Sequence, residues 1–543
     1  MAFNVKFILA IVLYFSVLIF CSAGPINKKG EYFLLSIIHF SDFHARFIEV
    51  SPSGGLCYEQ EKDRCVGGVS RVATIVERLK KIRRNPIFLN AGDCFQGTLY
   101  YELFKGNITA YFMNKLHPDV HTIGNHDLDE NVSGLASYIK QLDSPVVVTN
   151  IDDSEEPSIQ NLYTNSTIIQ KGGKDIGVIG AIYSDTDKIS KTTGKLKFLN
   201  EVQTINLESK KLKARGIDII IVLSHCGIEH DKIIASNCPD VDIVVGGHSH
   251  ILLYNGKPPS NEAAYGEYPM VVTQKGNNRK VLIVHASAYT KYIGDLQIVF
   301  NEDGELFRWK GNPIYLERFI KKDLSFEKML RPWKVEVDRI GKRLIAKTLV
   351  FLNGTCYSAE CNLANLVTDA MVDIYANESS ISFMTANSIQ NSIPVGPVVY
   401  EDIYMTLPYN NTWDLIELKG SDLLQVLEEN VAKSSSKISF VNFQLIQWSG
   451  MKVVYNLKKE QSKIVSVKVR CLHCNDPKFE DLNSDQWYRI VVPSYVISQS
   501  FETIFTKHRL IHTGKSRDID NLIDYVEKKK VINITTESRM VFV

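Results

Sequence analysis

The sequence carries almost no net charge. Its 62 lysines and arginines meet 61 aspartates and glutamates, a formal balance of +1. No long run of one sign interrupts that balance, so nothing calls for nucleic acid or an anionic membrane as a partner. No unit of roughly 20–50 residues recurs, which argues against a solenoid or propeller. No second apolar span follows the N-terminal one. The C-terminal TTESRMVFV lacks a spacer and a long hydrophobic tail, so no glycolipid anchor is expected. There is no Arg-Gly-Asp tripeptide, which removes the simplest integrin ligand.

What is present describes an ordinary globular chain, 45% hydrophobic and 23% charged. A length of 543 residues implies two or three domains. Lys6 precedes the run FILAIVLYFSVLIF, and CSAG offers small residues for cleavage near Ala23. Residues 1–23 therefore read as a secretory signal, too short for a transmembrane helix of roughly 20 apolar residues. The mature protein is expected to be secreted and soluble, in surroundings where cysteines pair. Cys21 leaves with the signal. Three local pairs are expected: Cys57 with Cys65, Cys356 with Cys361, and Cys471 with Cys474. The last, CLHC, has no second half and reads as a tight disulfide loop before it reads as a metal or redox motif. Cys94, Cys226 and Cys238 remain, an odd number, so at least one is free or pairs between chains. Sequons at Asn107, Asn131, Asn165, Asn353, Asn377, Asn410 and Asn533 make a glycoprotein the expectation.

Short Val/Ile-rich runs punctuate the first three hundred residues: 33–40, 86–92, 145–151, 176–182, 217–224, 241–247 and 269–274. Turn residues bound most of them and helix-like segments such as VSRVATIVERLKKIR separate them, the pattern of an α/β layered domain. Around 320–345 the charged stretch KKDLSFEKMLRPWKVEVDRIGKR reads as a linker helix. Beyond it, CNLANLVTDAMVDIY reads as an amphipathic helix, and WDLIELKG and WYRIVVP as strands of a second, α+β domain.

The chemistry lies where the first domain's runs end. FLLSIIHF is followed by Asp42 and His44, PIFLNAG by Asp93, VHTIG by Asn125, His126 and Asp129, IDIIIVLS by His225, and VDIVVGG by His248 and His250. In α/β sheets, ligands gather outside the carboxyl ends of strands. One histidine after a strand is ordinarily a loop residue, and one aspartate is commonly a helix cap. Five strand ends carrying imidazole, carboxylate and carboxamide together point to a divalent metal site. Gly246 and Gly247 are expected to turn the backbone sharply and bring it close to an ion. The donors outnumber the ligands of one zinc-like ion. They suit two ions about 3.5–4 Å apart sharing a carboxylate, a pair that activates water and clamps phosphoryl oxygens.

In order, DFH, GDCFQGT, GNHDLD, SHCG and GGHSH resemble the calcineurin-like metallophosphoesterases. The rest of the chain narrows the resemblance to the 5′-nucleotidase/apyrase family, which includes ecto-5′-nucleotidases and secreted insect apyrases. The resemblance implies a four-layer αββα metallophosphoesterase domain over residues 24–320, a linker helix over 321–345, and a 5′-nucleotidase-type substrate domain over 346–543. It implies one metal held by Asp42, His44, Asp93 and His250, and another held by Asp93, Asn125, His225 and His248, with Asp93 bridging. His126 and Asp129 match the family's catalytic dyad, in which the carboxylate orients the imidazole. Asp127 is the competing acid, and Asp129 is preferred. The cofactors are two divalent cations, Zn²⁺ first, with Mn²⁺, Ca²⁺ and Mg²⁺ open because the ligands mix nitrogen and oxygen.

The resemblance also implies a nucleoside site in the second domain, where two aromatic rings sandwich the base and arginines hold the anionic end. Tyr409 and Tyr495 stand at the aromatic positions. The cationic positions differ. The Cys-bounded loop CYSAEC offers Tyr357, Ser358 and Ala359. The family's Asn-Gly-Gly-Gly-Ile-Arg turn reads TANSIQ, with Thr385 leading, Ala386, Asn387 and Ser388 replacing the glycines, and Gln390 replacing the arginine. The Gly-Gly-Asp after the second aromatic reads SQSF, residues 498–501, and Thr368 and Ser382 stand where the family has a disulfide. Charge-assisted hydrogen bonds contribute roughly 1.5–3 kcal/mol each, so losing two weakens nucleotide binding by roughly a hundredfold. The resemblance implies a secreted nucleotide phosphohydrolase acting on extracellular ATP and ADP, with AMP also open, and removal of ADP would inhibit platelet aggregation. A second reading is a binding protein on the same scaffold that antagonises a host receptor such as a platelet integrin. A third is a phosphohydrolase for a less charged phosphoester.

Overall fold

The computed structural model describes residues 32–190, 192–356, 358–435, 445–459, 462–472, 474, 478–499 and 508–543. The expected signal segment, Tyr357, Ser500 and Phe501 lie outside these residues.

The expected apolar runs form the strands Phe33–Phe40, Pro86–Asn90, Lys174–Ile182, Ile219–His225, Ile243–Gly246 and Met270–Thr273. The run at 145–151 is a correction. Val147 N–H donates to the His121 carbonyl and Thr149 N–H to the Gly180 carbonyl, so the segment crosses from one sheet to the other. Only Ile151–Asp152 pairs as a strand, with Lys197–Phe198.

Two sheets result. The first runs in the order Leu306–Gly311, Tyr292–Phe300, Phe33–Phe40, Pro86–Asn90, Val120–His121, with Ile314–Tyr315 pairing beside Tyr292. The second runs Met270–Thr273, Lys280–Val284, Ile243–Gly246, Ile219–His225, Lys174–Ile182, Ser166–Lys171. Strand alternation separates the layers. Leu35, Ile37, Ile87 and Leu89 share a buried cluster with Val178, Ile220 and Val244 of the other sheet. Ile38, Phe40 and Phe88 instead join Val72, Ile75 and Leu79 of the helix Val69–Ile82. Each such side chain contributes roughly 1.5–3 kcal/mol on burial. The helices Glu201–Ala214 and Ile228–Asn237 cover the second sheet through Ile205, Leu212, Ile234 and Ala235. This is the expected four-layer αββα arrangement. Parallel pairing sets Phe40 level with Asn90 and Ser224 level with Gly246, so carboxyl ends converge in each sheet.

The helix Leu324–Gly341 follows, capped by Asp323, whose carboxylate accepts from the N–H groups of Ser325 and Phe326. One buried cluster runs from Phe47 and Phe112 through Phe326 of this helix to Ile403 and Trp413. The second part contains a five-stranded sheet in the order Ile446–Ser449, Ile381–Thr385, Trp487–Pro493, Trp413–Lys419, Arg509–His512. Trp413 pairs with Pro493, and Ile381–Thr385 lies parallel to Trp487–Pro493. Thr385, Tyr409 and Tyr495 therefore leave the same edge of this sheet. The three expected disulfides are present, and Cys94, Cys226 and Cys238 are all free and buried. Six sequon asparagines are exposed, and Asn353 is half-buried. Among the described residues no helix is long and apolar enough to cross a membrane.

Candidate metal centre

The loops that leave the strand ends are locked to one another. Asp42 N–H donates to the Gly92 carbonyl at 2.9 Å and His44 N–H to the Asp93 carbonyl at 3.0 Å. Asp42, His44, Asp93, His248 and His250 take φ values of 52°, 46°, 54°, 74° and 53°. Side-chain-bearing residues seldom adopt this left-handed region, at a cost on the order of 1 kcal/mol or more each. The strain thus sits on the residues expected to bind metal. The two glycines before His248 play a different part from the one expected, since neither has a positive φ. A Cβ on Gly246 would lie 2.2 Å from His285 Nε2, and one on Gly247 2.8 Å from the Ala91 carbonyl oxygen. They are needed for close packing, and the histidines make the turn.

The donors gather in two clusters that could each hold a cation: Asp42, His44 and His250, and Asp93, His225 and His248. Two carbonyls fix the imidazoles. His225 Nδ1 lies 2.7 Å from the Ala91 oxygen and His44 Nδ1 3.0 Å from the Phe95 oxygen. A carbonyl only accepts, so each Nδ1 carries a proton and each ring turns its Nε2 inward. His44 Nε2 faces His250 Nε2 at 3.1 Å, His225 Nε2 faces Asp93 Oδ2 at 3.0 Å, and His250 Nε2 faces Asp42 Oδ1 at 3.2 Å. Asp93 Oδ2 is also 3.7 Å from His44 Nε2, so this carboxylate reaches both clusters. Buried Asn125 Oδ1 has no hydrogen-bond partner. Imidazole nitrogens and carboxylate oxygens converging from several loops fit divalent cations, with the two carbonyls behind the rings as orienting partners. A Cβ on Gly124 would lie 2.1 Å from Asp93 Oδ1, so this glycine admits the carboxylate.

His126 and Asp129 pair as expected, Nδ1 to Oδ2 at 2.9 Å, with side chains 27% and 28% exposed beside the buried donors. Burial disfavours the imidazolium, but the carboxylates of Asp129 and Asp93 more than reverse this and raise His126 to about 9. The Tyr409 ring, from the second sheet's edge, stands 5.8 Å from the His126 ring. Asp127 has a separate role. Its Oδ2 accepts from the N–H groups of Asp93 and Gly124 at 3.0 and 2.8 Å, and its Oδ1 from those of Cys94 and Phe95 at 2.9 and 3.1 Å. One carboxylate thereby staples the Asp93 loop to the Asn125 loop. The spacing of GNHDLD placed this acid among the candidates without revealing that role.

At the other wall, the Tyr495 hydroxyl bonds to Thr385 Oγ1 and Ser388 Oγ. Gln390 donates to the Asn387 carbonyl and accepts from the Tyr289 hydroxyl at 3.1 Å. Tyr289, which no sequence motif marked, comes from the first domain.

Residues 35–252 match the family described as calcineurin-like phosphoesterase, and residues 344–506 the 5′-nucleotidase C-terminal domain. The chain is 38% identical to an apyrase of Tabanus yao, covering 96% of each chain. It is 33% identical to a 5′-nucleotidase of Rattus norvegicus, covering 95% of this chain and 92% of that one. A crystal structure of a 5′-nucleotidase precursor from Thermus thermophilus superposes with a TM-score of 0.81 at 30% identity, covering 94% and 99% of the two chains. The chain belongs to the 5′-nucleotidase/apyrase family. It is thus a phosphoric ester hydrolase on a metallophosphoesterase fold. The Ser382 hydroxyl donates to the Thr368 carbonyl at 2.7 Å, so these two residues are neighbours.

Two outcomes follow from this geometry. Asp127→Ala should lower divalent-metal affinity by roughly 10–100-fold, as loss of an orienting partner does, read by calorimetric titration of the folded variant with Zn²⁺ or Mn²⁺. The raised His126 pKa means that the folded chain holds this proton more tightly than the unfolded chain. Its stabilisation is complete below pH 6.5 and fades as pH climbs through about 9. The stability advantage of wild type over His126→Asn, from urea unfolding in the presence of a chelator, should shrink across that window.

Proposed function

We propose that this chain is a secreted, divalent-metal-dependent nucleotide phosphohydrolase that removes the terminal phosphate of extracellular ATP and ADP, with AMP as a further substrate. The observation that carries this reading is the convergence of donor atoms from Asp42, His44, Asp93, His225, His248 and His250 beside His126, whose ring faces Tyr409. The relatives named apyrase and 5′-nucleotidase support the substrate class. Residues 1–23 act as the signal, 24–320 as the catalytic domain, 321–345 as the linker helix and 346–543 as the substrate domain.

Asp42, His44, Asp93 and His250 would hold one cation, and Asp93, Asn125, His225 and His248 the other. Such cations would supply Lewis acidity at the phosphoryl group. His126 keeps its Nδ1 proton on Asp129, which leaves Nε2–H to donate to a phosphoryl or leaving-group oxygen as negative charge develops there. Tyr409 and Tyr495 stack on the base, at roughly 1–3 kcal/mol per stacked base. Thr385 and Gln390 line the same edge with neutral groups, so the substrate's phosphates gain their main charge compensation from the cations. Removal of ADP outside the cell inhibits platelet aggregation. The receptor-antagonist alternative rests on the neutral turn alone, and the complete donor set speaks against a scaffold that has abandoned hydrolysis.

Phosphate release from ATP, ADP and AMP should appear with added Zn²⁺, Mn²⁺, Ca²⁺ or Mg²⁺ and vanish on chelation. His126→Ala should lower kcat by roughly 10²–10⁴-fold. No release above that variant on any nucleotide would sink the proposal, and release from simple phosphoesters alone would select the less charged substrate class.

A further inference from the structure

Tyr289 stands where the two halves of the molecule meet. Its N–H donates to the Asp42 carbonyl at 2.8 Å. Its ring centroid lies 5.6 Å from that of His44 and 5.1 Å from that of His250. Its hydroxyl donates to Gln390 Oε1 at 3.1 Å. One side chain thus touches a candidate metal cluster on one side and the turn 385–390 on the other.

The surroundings hold Tyr289 in place. Ser287, Tyr289 and Thr290 take φ values of 58°, 62° and 60°, a concentration of left-handed backbone without a glycine. Ser287 N–H donates to the Ile251 carbonyl at 2.8 Å, and its hydroxyl donates to Glu262 Oε2 at 2.6 Å. Thr290 Oγ1 accepts from Gly68 N–H at 2.8 Å. Arg46, 2% exposed, makes no ion pair among the described residues; its guanidinium donates to the His44 carbonyl at 2.7 Å and rests 4.4 Å from the Tyr289 ring centroid. A buried cation without a carboxylate gains most from an aromatic face in such a place.

Beyond Gln390 the bonds continue. Gln390 donates to the Asn387 carbonyl, Asn387 Oδ1 accepts from the Thr385 hydroxyl, and Thr385 meets the Tyr495 hydroxyl. The path from Asp42 and His44 to Tyr495 is therefore continuous and, from Tyr289 onward, made of neutral groups.

We propose that Tyr289 is a positioning residue for nucleotide substrates: through Gln390 it fixes the turn 385–390, and with it the Tyr495 ring, at a set distance from the metal cluster. The inference rests on the proposed phosphohydrolase reading and deepens it. Nucleoside seating then depends on a neutral hydrogen-bond relay between the halves of the molecule.

Tyr289→Phe tests this, because it removes the hydroxyl and keeps the ring that packs on His44, His250 and Arg46. The variant should lose about tenfold in kcat/KM for ADP, the cost of one buried hydrogen bond, mostly through KM. The loss on p-nitrophenyl phosphate, which has no nucleoside, should be at most about twofold, with bound metal unchanged. Gln390→Ala should behave alike, and the double variant should be no worse than either single one. Amide hydrogen exchange across residues 385–391 should quicken in both. Equal losses on the two substrates, multiplying effects in the double variant, or unchanged exchange at 385–391 would overturn the proposal. If wild type releases phosphate from no nucleotide, the functional reading fails on its own. The exchange comparison, which needs no turnover, still decides the coupling.

Discussion

Two backbone carbonyls decide the chemistry at the centre of this molecule. The Ala91 carbonyl accepts Nδ1–H of His225 and the Phe95 carbonyl that of His44, so both rings turn Nε2 inward. There they meet a third imidazole and the carboxylates of Asp42 and Asp93, all but His250 deeply buried. Buried carboxylates are costly unless positive charge compensates them, and a divalent cation among these side chains would do so. The surrounding backbone accepts left-handed conformations at five of the donors to keep that arrangement, and Asp127 spends its whole acceptor capacity on holding two of the loops together. Strain and satisfied hydrogen bonds are here two sides of one requirement. The donors must point inward, and the loops cannot relax away.

The second domain meets this centre through polar contacts around a shared apolar core. The loop closed by Cys57–Cys65 contributes Leu56, whose N–H donates to Asn391 Oδ1, and Tyr58, whose hydroxyl donates to Asp402. Gln96, three residues after Asp93, donates to the Pro408 carbonyl beside Tyr409. Glu102 pairs with Arg517 across the same boundary at 2.8 Å. These bonds carry direction, which the apolar cluster lacks. They set the angle at which the edge bearing Thr385, Tyr409 and Tyr495 faces His126.

The centre was legible in the sequence because its physics is local and periodic. A run of Val and Ile must be buried, so whatever polar residue ends it sits at a sheet's carboxyl edge, and several such edges share one place. That argument placed Asp42, His44, Asp93, Asn125, His225, His248 and His250 together before any coordinates. The same logic misread 145–151, where an apolar run bridges two sheets, because periodicity reports burial and not direction. It passed over the role of Asp127, whose partners are backbone N–H groups that no side-chain pattern announces. It could not find Tyr289, which lies outside any strand or helix and owes its place to loop conformations that L-residues seldom adopt. The glycines of VVGGHSH illustrate the limit: their presence was informative, but close packing, not turning, is what requires them.

The edge formed by the turn 385–390 is best understood through the Tyr495 hydroxyl. A phenol brought into a half-buried position must find partners, since an orphaned hydroxyl costs roughly 1–3 kcal/mol. Thr385 and Ser388 of the turn 385–390 supply them. Gln390 closes back on the same turn and reaches Tyr289. The polar side chains of Thr385, Asn387, Ser388 and Gln390 are bonded to one another, to the turn's backbone, to Tyr495 or to the first domain. The edge presents a connected set of hydroxyl and amide groups. Specificity at such an edge comes from where its hydrogen bonds hold the aromatic rings, and the metal centre is left to meet the charge of the phosphate.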